Sequence, residues 1–186
     1  MNSSEHLLVL MSIILGLGIR DLLVGGRAAA IDRPREDLAL LPFLAGLLVL
    51  LATVQFWWYL FIVANRDVWG TNFFLFATVL LRPALLFLSA ASVFPPPGQP
   101  GNLADHYFRN RGFIYLPLAA FELHNLVESA TNLGTLRHTA HIFHVLFTIA
   151  CVVLAFSSSR NWHRVLLSLL LVSALIFIGV FSLRLT

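Results

Sequence analysis

Six side chains in this sequence combine reactive chemistry with apolar surroundings: Arg82, Glu122, His124, Glu128, His141 and His144. Imidazole changes charge between about pH 5 and 8 and can hand protons between carboxylates and water. Strings of Glu and His within apolar segments mark proton or ion pathways. Arg82 stands ten residues into the apolar stretch 72–94, too deep to snorkel to either edge. A charge so placed costs at least about 2.5–3.5 kcal/mol on insertion scales and is normally paired or hydrated. Pro83 follows it and leaves a carbonyl of the preceding turn without its helical donor, a group that can help solvate the site. Counting about 1.5 Å per residue from the ends of the two stretches puts Glu122 at the depth of Arg82, so these two are expected to pair. A structural ion pair that only fixes helix packing is the competing use.

Spacing gathers the rest. Glu122, Asn125 and Ser129 follow i, i+3, i+7 on one helical face, and His124 and Glu128 form the adjacent stripe. Arg137, His141, His144 and Thr148 recur at i, i+4, i+7, i+11 on an otherwise apolar segment. Such a stripe faces protein or a hydrated path rather than lipid. A hairpin centred near Gly134 brings His124 level with His144, and Glu128 level with residues 139–141. Gln55 reaches a similar depth on an earlier segment.

Other chemistries fit less well. Imidazoles and carboxylates can ligate zinc or iron, with His141, His144 and Glu128 the candidates. His138, His141 and His144 step by three and drift around a helix, and no H-E-x-x-H is present. A haem b held between His124 and His144 is a further alternative, cramped by the tight turn. No cofactor and no catalytic residue is therefore expected. Cys151 is the single cysteine, which excludes an internal disulfide and any multi-cysteine metal site. Arg20 and Asp21 read as a self-paired couple at an interface, and Asp105, His106, Arg109 and Arg111 as a solvated loop. Nothing resembles a phosphate loop, a nucleophile elbow or a redox pair.

The elements that must hold these groups are membrane helices. The 186 residues are 59% hydrophobic and only 11% charged, against about 25% charged in soluble domains, and the mean hydropathy is +0.85. A span takes roughly 20 residues, which leaves room for loops and for no soluble domain. Six spans are expected in a single integral membrane domain, 1–186: 7–24, 38–63, 72–94, 113–130, 139–157 and 165–183. The fourth is the most polar. Gly25, Gly26 and Pro34 bracket the first loop, Pro95-Pro96-Pro97-Gly98 ends the third span, and Asn132 with Gly134 marks a tight turn. The connection 95–112 is the place for a short surface helix. The N-terminus has no positive region before its apolar run and reads as a retained helix.

Loops after the first, third and fifth spans hold seven arginines (27, 33, 35, 109, 111, 160, 164), and the opposite side holds three (66, 137, 184). The positive side faces inward, so both termini face outward. Trp57, Trp58, Tyr59 and Trp69 then form an outer interfacial belt, with Trp162 at the inner one. The formal charge of +3 comes with no run of adjacent basic residues, which gives no nucleic-acid signature. All 12 basic residues are arginine, pointing to a GC-rich bacterial coding bias. The segments LGIRDLL (17–23) and FELHNLV (121–127) each place a polar pair before two aliphatics, compatible with a 3+3 inverted repeat.

The segments VQFWWYLF (54–61), LLRPALLFLSAASVFP (80–95) and DHYFRNR (105–111) resemble a set of small bacterial multi-span inner-membrane proteins. That resemblance covers about the first two thirds of the chain and implies a family, but no activity and no site residues; the expected location is a bacterial inner membrane. The expected function is a membrane channel or transporter-like protein that passes or senses a small ion or proton. The alternatives are a membrane-embedded metal or haem enzyme and a non-transporting sensor or partner subunit. The expected partners are the lipid bilayer and further copies of the chain.

Overall fold

A computed structural model describes residues 3–31, 40–63, 73–99, 101–132 and 138–182. Six α-helices account for nearly all of them: α1 (Ser3–Ile31), α2 (Leu40–Val63), α3 (Phe73–Val93), α4 (Leu103–Asn132), α5 (His138–Phe156) and α6 (Arg160–Phe177). A π-helical segment, Ile178–Ser182, continues α6. No strand occurs among the described residues. Helices are what such a sequence can form in lipid, where each backbone N–H and C=O must be satisfied within its own segment.

Four helices contain stretches long and apolar enough to cross a bilayer: His6–Ile31, Leu40–Leu60, Phe76–Val93 and Arg160–Val180. The apolar stretch of α5, His141–Phe156, is shorter, and α4 is the polar helix of the set. Large aliphatic side chains such as Ile149, Leu169, Val172 and Ile176 are more than half exposed on the outside of the bundle. In water that surface would be a liability; against lipid it is the required finish. The chain is thus an all-helical bundle with the apolar exterior of a membrane protein.

Two boundaries differ most from the sequence reading. Helix α1 runs straight through Gly25-Gly26 instead of ending there. A Cβ on Gly25 would lie 2.6 Å from Cβ of Phe94, so this glycine serves close contact between α1 and the end of α3 rather than a turn. Helix α4 absorbs most of the expected connection. It begins beside Asn102, whose Oδ1 accepts from the backbone N–H groups of Ala104 (2.8 Å) and Asp105 (3.4 Å). From there 30 residues run without a break through Pro117, about 45 Å at 1.5 Å per residue.

Helix α4 packs most extensively on α5 and α3, and touches α2; α3 in turn carries α1, and α2 lies against α6. Between α3 and α4 the Ser89 hydroxyl donates to the Ile114 carbonyl at 2.7 Å. The two three-helix halves pack differently: α1 rests along α3, whereas α4 and α6 make few contacts. A 3+3 repeat is not shown. The residues Asp32, Arg33, Pro34, Arg35, Glu36 and Asp37, then Arg66, Trp69, Gly134, Arg137 and Arg184, lie outside the described residues, among them half of the ten arginines in the orientation count.

Candidate functional site: a charged layer between α2, α3, α4 and α5

Arg82 is buried to 2% exposure in α3, and both terminal nitrogens of its guanidinium engage Glu128 of α4: Nη1 donates to Oε2, and Nη2 to Oε1 at 3.3 Å. The Tyr59 hydroxyl of α2 donates to the same Oε1 at 3.4 Å. The guanidinium also stands 5.3 Å from the Phe56 ring centre and 5.7 Å from that of Tyr59, where ring quadrupoles attract a cation. A bidentate pair backed by aromatic faces is how an always-charged side chain is accommodated away from water. Pro83 sits within α3 directly after it.

Glu122, the expected partner of Arg82, belongs elsewhere. Its Oε2 lies 2.6 Å from Nδ1 of His144 on α5, within hydrogen-bond distance. The reason for the exchange of partners is side-chain direction. Each Cα–Cβ bond leans toward its helix's N-terminus. On α3 this tips Arg82 toward the end of the bundle where α4 finishes, and on α4 it tips the glutamates the opposite way. Arg82 and Glu128 therefore converge from different levels, whereas counting backbone depth alone matches Arg82 with Glu122. Glu122 rather than His124 is thus the α4 residue that meets His144.

The remaining expected residues fall around these pairs. His124 lies one turn from Glu128, close enough to feel the charges of both Arg82 and Glu128. Three buried nitrogens, Arg82 Nε, His124 Nδ1 and His141 Nε2, have no hydrogen-bond partner among the described residues. Gln55 and Asn125 are half-buried. Thr148 bonds back to the His144 carbonyl at 2.8 Å, and the side chains of Ser129 and Arg137 lie outside what is described. Among the described residues no three His, Cys, Asp or Glu side chains converge as a metal site; Glu122 with His144 is the pair of ligating types in contact. Arg20 and Asp21 do pair with each other, at 3.0 Å and largely exposed.

A second polar cluster, unforeseen from the sequence, lies at the opposite end of α4. Tyr107 and Tyr115 of α4 touch through their hydroxyls at 2.7 Å, and the Tyr107 hydroxyl is 2.6 Å from Nδ1 of His163 on α6. His163 Nε2 donates to the Ser157 carbonyl, just past α5, at 3.0 Å. Tyr107, Tyr115 and His163 are all fully buried. Burial raises the Tyr107 phenol above its ordinary value, so this hydroxyl stays neutral. Arg111, expected in a solvated loop, lies between the tyrosines on α4 and donates to the Phe108 carbonyl and to Ser158 Oγ (3.1 Å). The available signal was the i, i+4, i+8 series Tyr107, Arg111, Tyr115; Tyr59 was likewise counted as interfacial belt and turns out to reach Glu128. No protein-family model, curated protein or solved structure matches this chain.

Proposed function

We propose that this chain is a six-span inner-membrane protein, active as a homo-oligomer, that passes or senses protons through the layer formed by Arg82, Glu128, Glu122 and His144. The observation that carries this reading is the Glu122–His144 pair, a carboxylate and an imidazole in contact at 2.6 Å within the helix bundle. It lies six residues from Glu128, about 9 Å along α4. Arg82 neutralises Glu128 and leaves the Glu122–His144 pair as the exchangeable unit. His124 and His141, each with an unpartnered ring nitrogen, supply further positions where a proton can rest.

The test is proton flux into liposomes carrying the purified protein, read with an internal pH dye between pH 5 and 8. His144→Phe keeps apolar volume, so the protein is expected to fold while flux falls or loses its pH dependence. Unaltered flux in His144→Phe overturns the reading, and so does wild-type protein that carries no flux and shows no pH-dependent conformational change. Stoichiometric metal or a haem absorption band in the purified protein would favour an embedded redox or metal enzyme instead.

A further inference from the structure

We propose that His163 is an acid-sensitive tie, holding the start of α6 against α4 while neutral and releasing it when protonated. The hydrogen bonds around it run in one sense only. Nε2–H donates to the Ser157 carbonyl (3.0 Å), which leaves Nδ1 as a pure acceptor. The Tyr107 hydroxyl donates into Nδ1 (2.6 Å), and the Tyr115 hydroxyl donates to the Tyr107 oxygen (2.7 Å). Every donor has one acceptor, and the ring is satisfied as the neutral tautomer.

A second proton on the ring breaks this order. Nδ1–H would then face the Tyr107 oxygen, and Tyr107 could accept it only by turning its own hydrogen toward Tyr115. Tyr115 would be left donating to nothing, because Tyr107 is its hydrogen-bond partner among the described residues and its side chain is fully buried. A buried donor without an acceptor is costly.

The surroundings offer the new charge no compensation. From α4 the ring faces Tyr107, Tyr115 and Arg111, whose positive charge opposes a second one. The α5 end contributes the Ser157 carbonyl, with Cys151 behind Tyr115. Helix α2, packed on α6, has Tyr59 as its one ionisable side chain, near its far end. On α6 itself Arg160 and Arg164 are exposed cations. Among the described residues no carboxylate is in contact with the ring. Water is nonetheless near, since Ser158, Ser159 and Arg160 are exposed while His163 beneath them is not. The first turn of α6 has few other restraints: Ser159 caps it without a side-chain bond, and Arg111 to Ser158 is the neighbouring tie. This tie does not depend on whether the Glu122–His144 pair moves protons, and it places a titrating group at the other end of α4.

Hydrogen exchange on the full chain in detergent tests it, read by mass spectrometry over residues 157–164 at pH 7.5 and 5.5 and corrected for intrinsic rates. Wild-type protein should exchange about tenfold faster at the lower pH as this turn opens locally. In H163N the amide oxygen can still accept from Tyr107 but takes up no proton, so protection should persist at both pH values. Unchanged wild-type protection overturns the tie, as does a response in H163N equal to that of wild type. Should H163N fail to fold, Tyr107→Phe decides: fast exchange already at pH 7.5 supports the tie, and an intact tenfold response refutes it.

Discussion

The two ends of α4 solve the same problem in opposite ways. Near its C-terminus carboxylates are matched with bases in pairs, Arg82 with Glu128 and Glu122 with His144, and three buried nitrogens around them have no hydrogen-bond partner among the described residues, as Arg111 Nε has none near the other end. Near its N-terminus, Tyr107, Tyr115 and His163 form a neutral string in which each proton has one acceptor. Tyr107 and Glu128 stand 21 residues apart, about 32 Å along the helix, which is close to the thickness of a bilayer's hydrocarbon core. The same residue type shows the difference most plainly. His144 meets a carboxylate, which accommodates an added proton; His163 meets a phenol and a carbonyl, which hold it neutral. An imidazole beside a carboxylate can take up a proton as a charge-assisted pair, while one that accepts from a phenol and donates to a carbonyl is satisfied only in its neutral form.

The largest expected effect comes from stranding a charge in the first region. Arg82→Leu leaves Glu128 with Tyr59 in place of its bidentate partner and should cost about 3 kcal/mol, the lower end of the range for broken buried pairs because Glu128 is partly exposed. Thermal melting in detergent reads this as a clear drop. Adding Glu128→Leu should restore much of the loss, whereas adding Glu122→Leu should deepen it. Recovery with Glu122→Leu instead would restore the pairing counted from backbone depth and remove the partner assignment made above.

In the second region the middle of the string should matter more than its end. Tyr107→Phe removes the donor to His163 and the acceptor for Tyr115 together, and leaves two buried groups unsatisfied, for a loss of about 2 kcal/mol. Tyr115→Phe removes only a terminal donor, and Tyr107 keeps its bond to His163, so about 1 kcal/mol is expected. Equal losses measured by melting would mean that the hydroxyls do not act as a directional chain.

The smallest effect is expected at Tyr59. Its hydroxyl reaches Glu128 at 3.4 Å from a position 38% exposed, and Glu128 retains Arg82 without it. Tyr59→Phe should shift stability by no more than about 0.5 kcal/mol. A loss as large as that of Arg82→Leu would show that the tyrosine, rather than the ion pair, organises the charged region.

Composition and hydropathy alone determined that this chain is a helical bundle with an apolar exterior, and the expected segments 38–63, 72–94 and 139–157 lie within two residues of α2, α3 and α5. The reason is local: an apolar run of about 20 residues has one way to satisfy its backbone in lipid. The members of the charged layer were legible for the same reason, since Arg82, Glu122, Glu128 and the histidines are conspicuous in apolar segments. Their partners were not, because pairing depends on which way each side chain leans and on how neighbouring helices are set against one another. Tertiary structure alone showed that Gly25 meets Phe94 and that Tyr59 turns toward Glu128. It also decided that Tyr107, Tyr115 and His163, 56 residues apart at the extremes, meet in one buried string. A tyrosine or histidine near the end of a span reads as an interfacial residue by type; whether it faces headgroups or a neighbouring helix is set by the rotation of that helix, which comes from packing against the others.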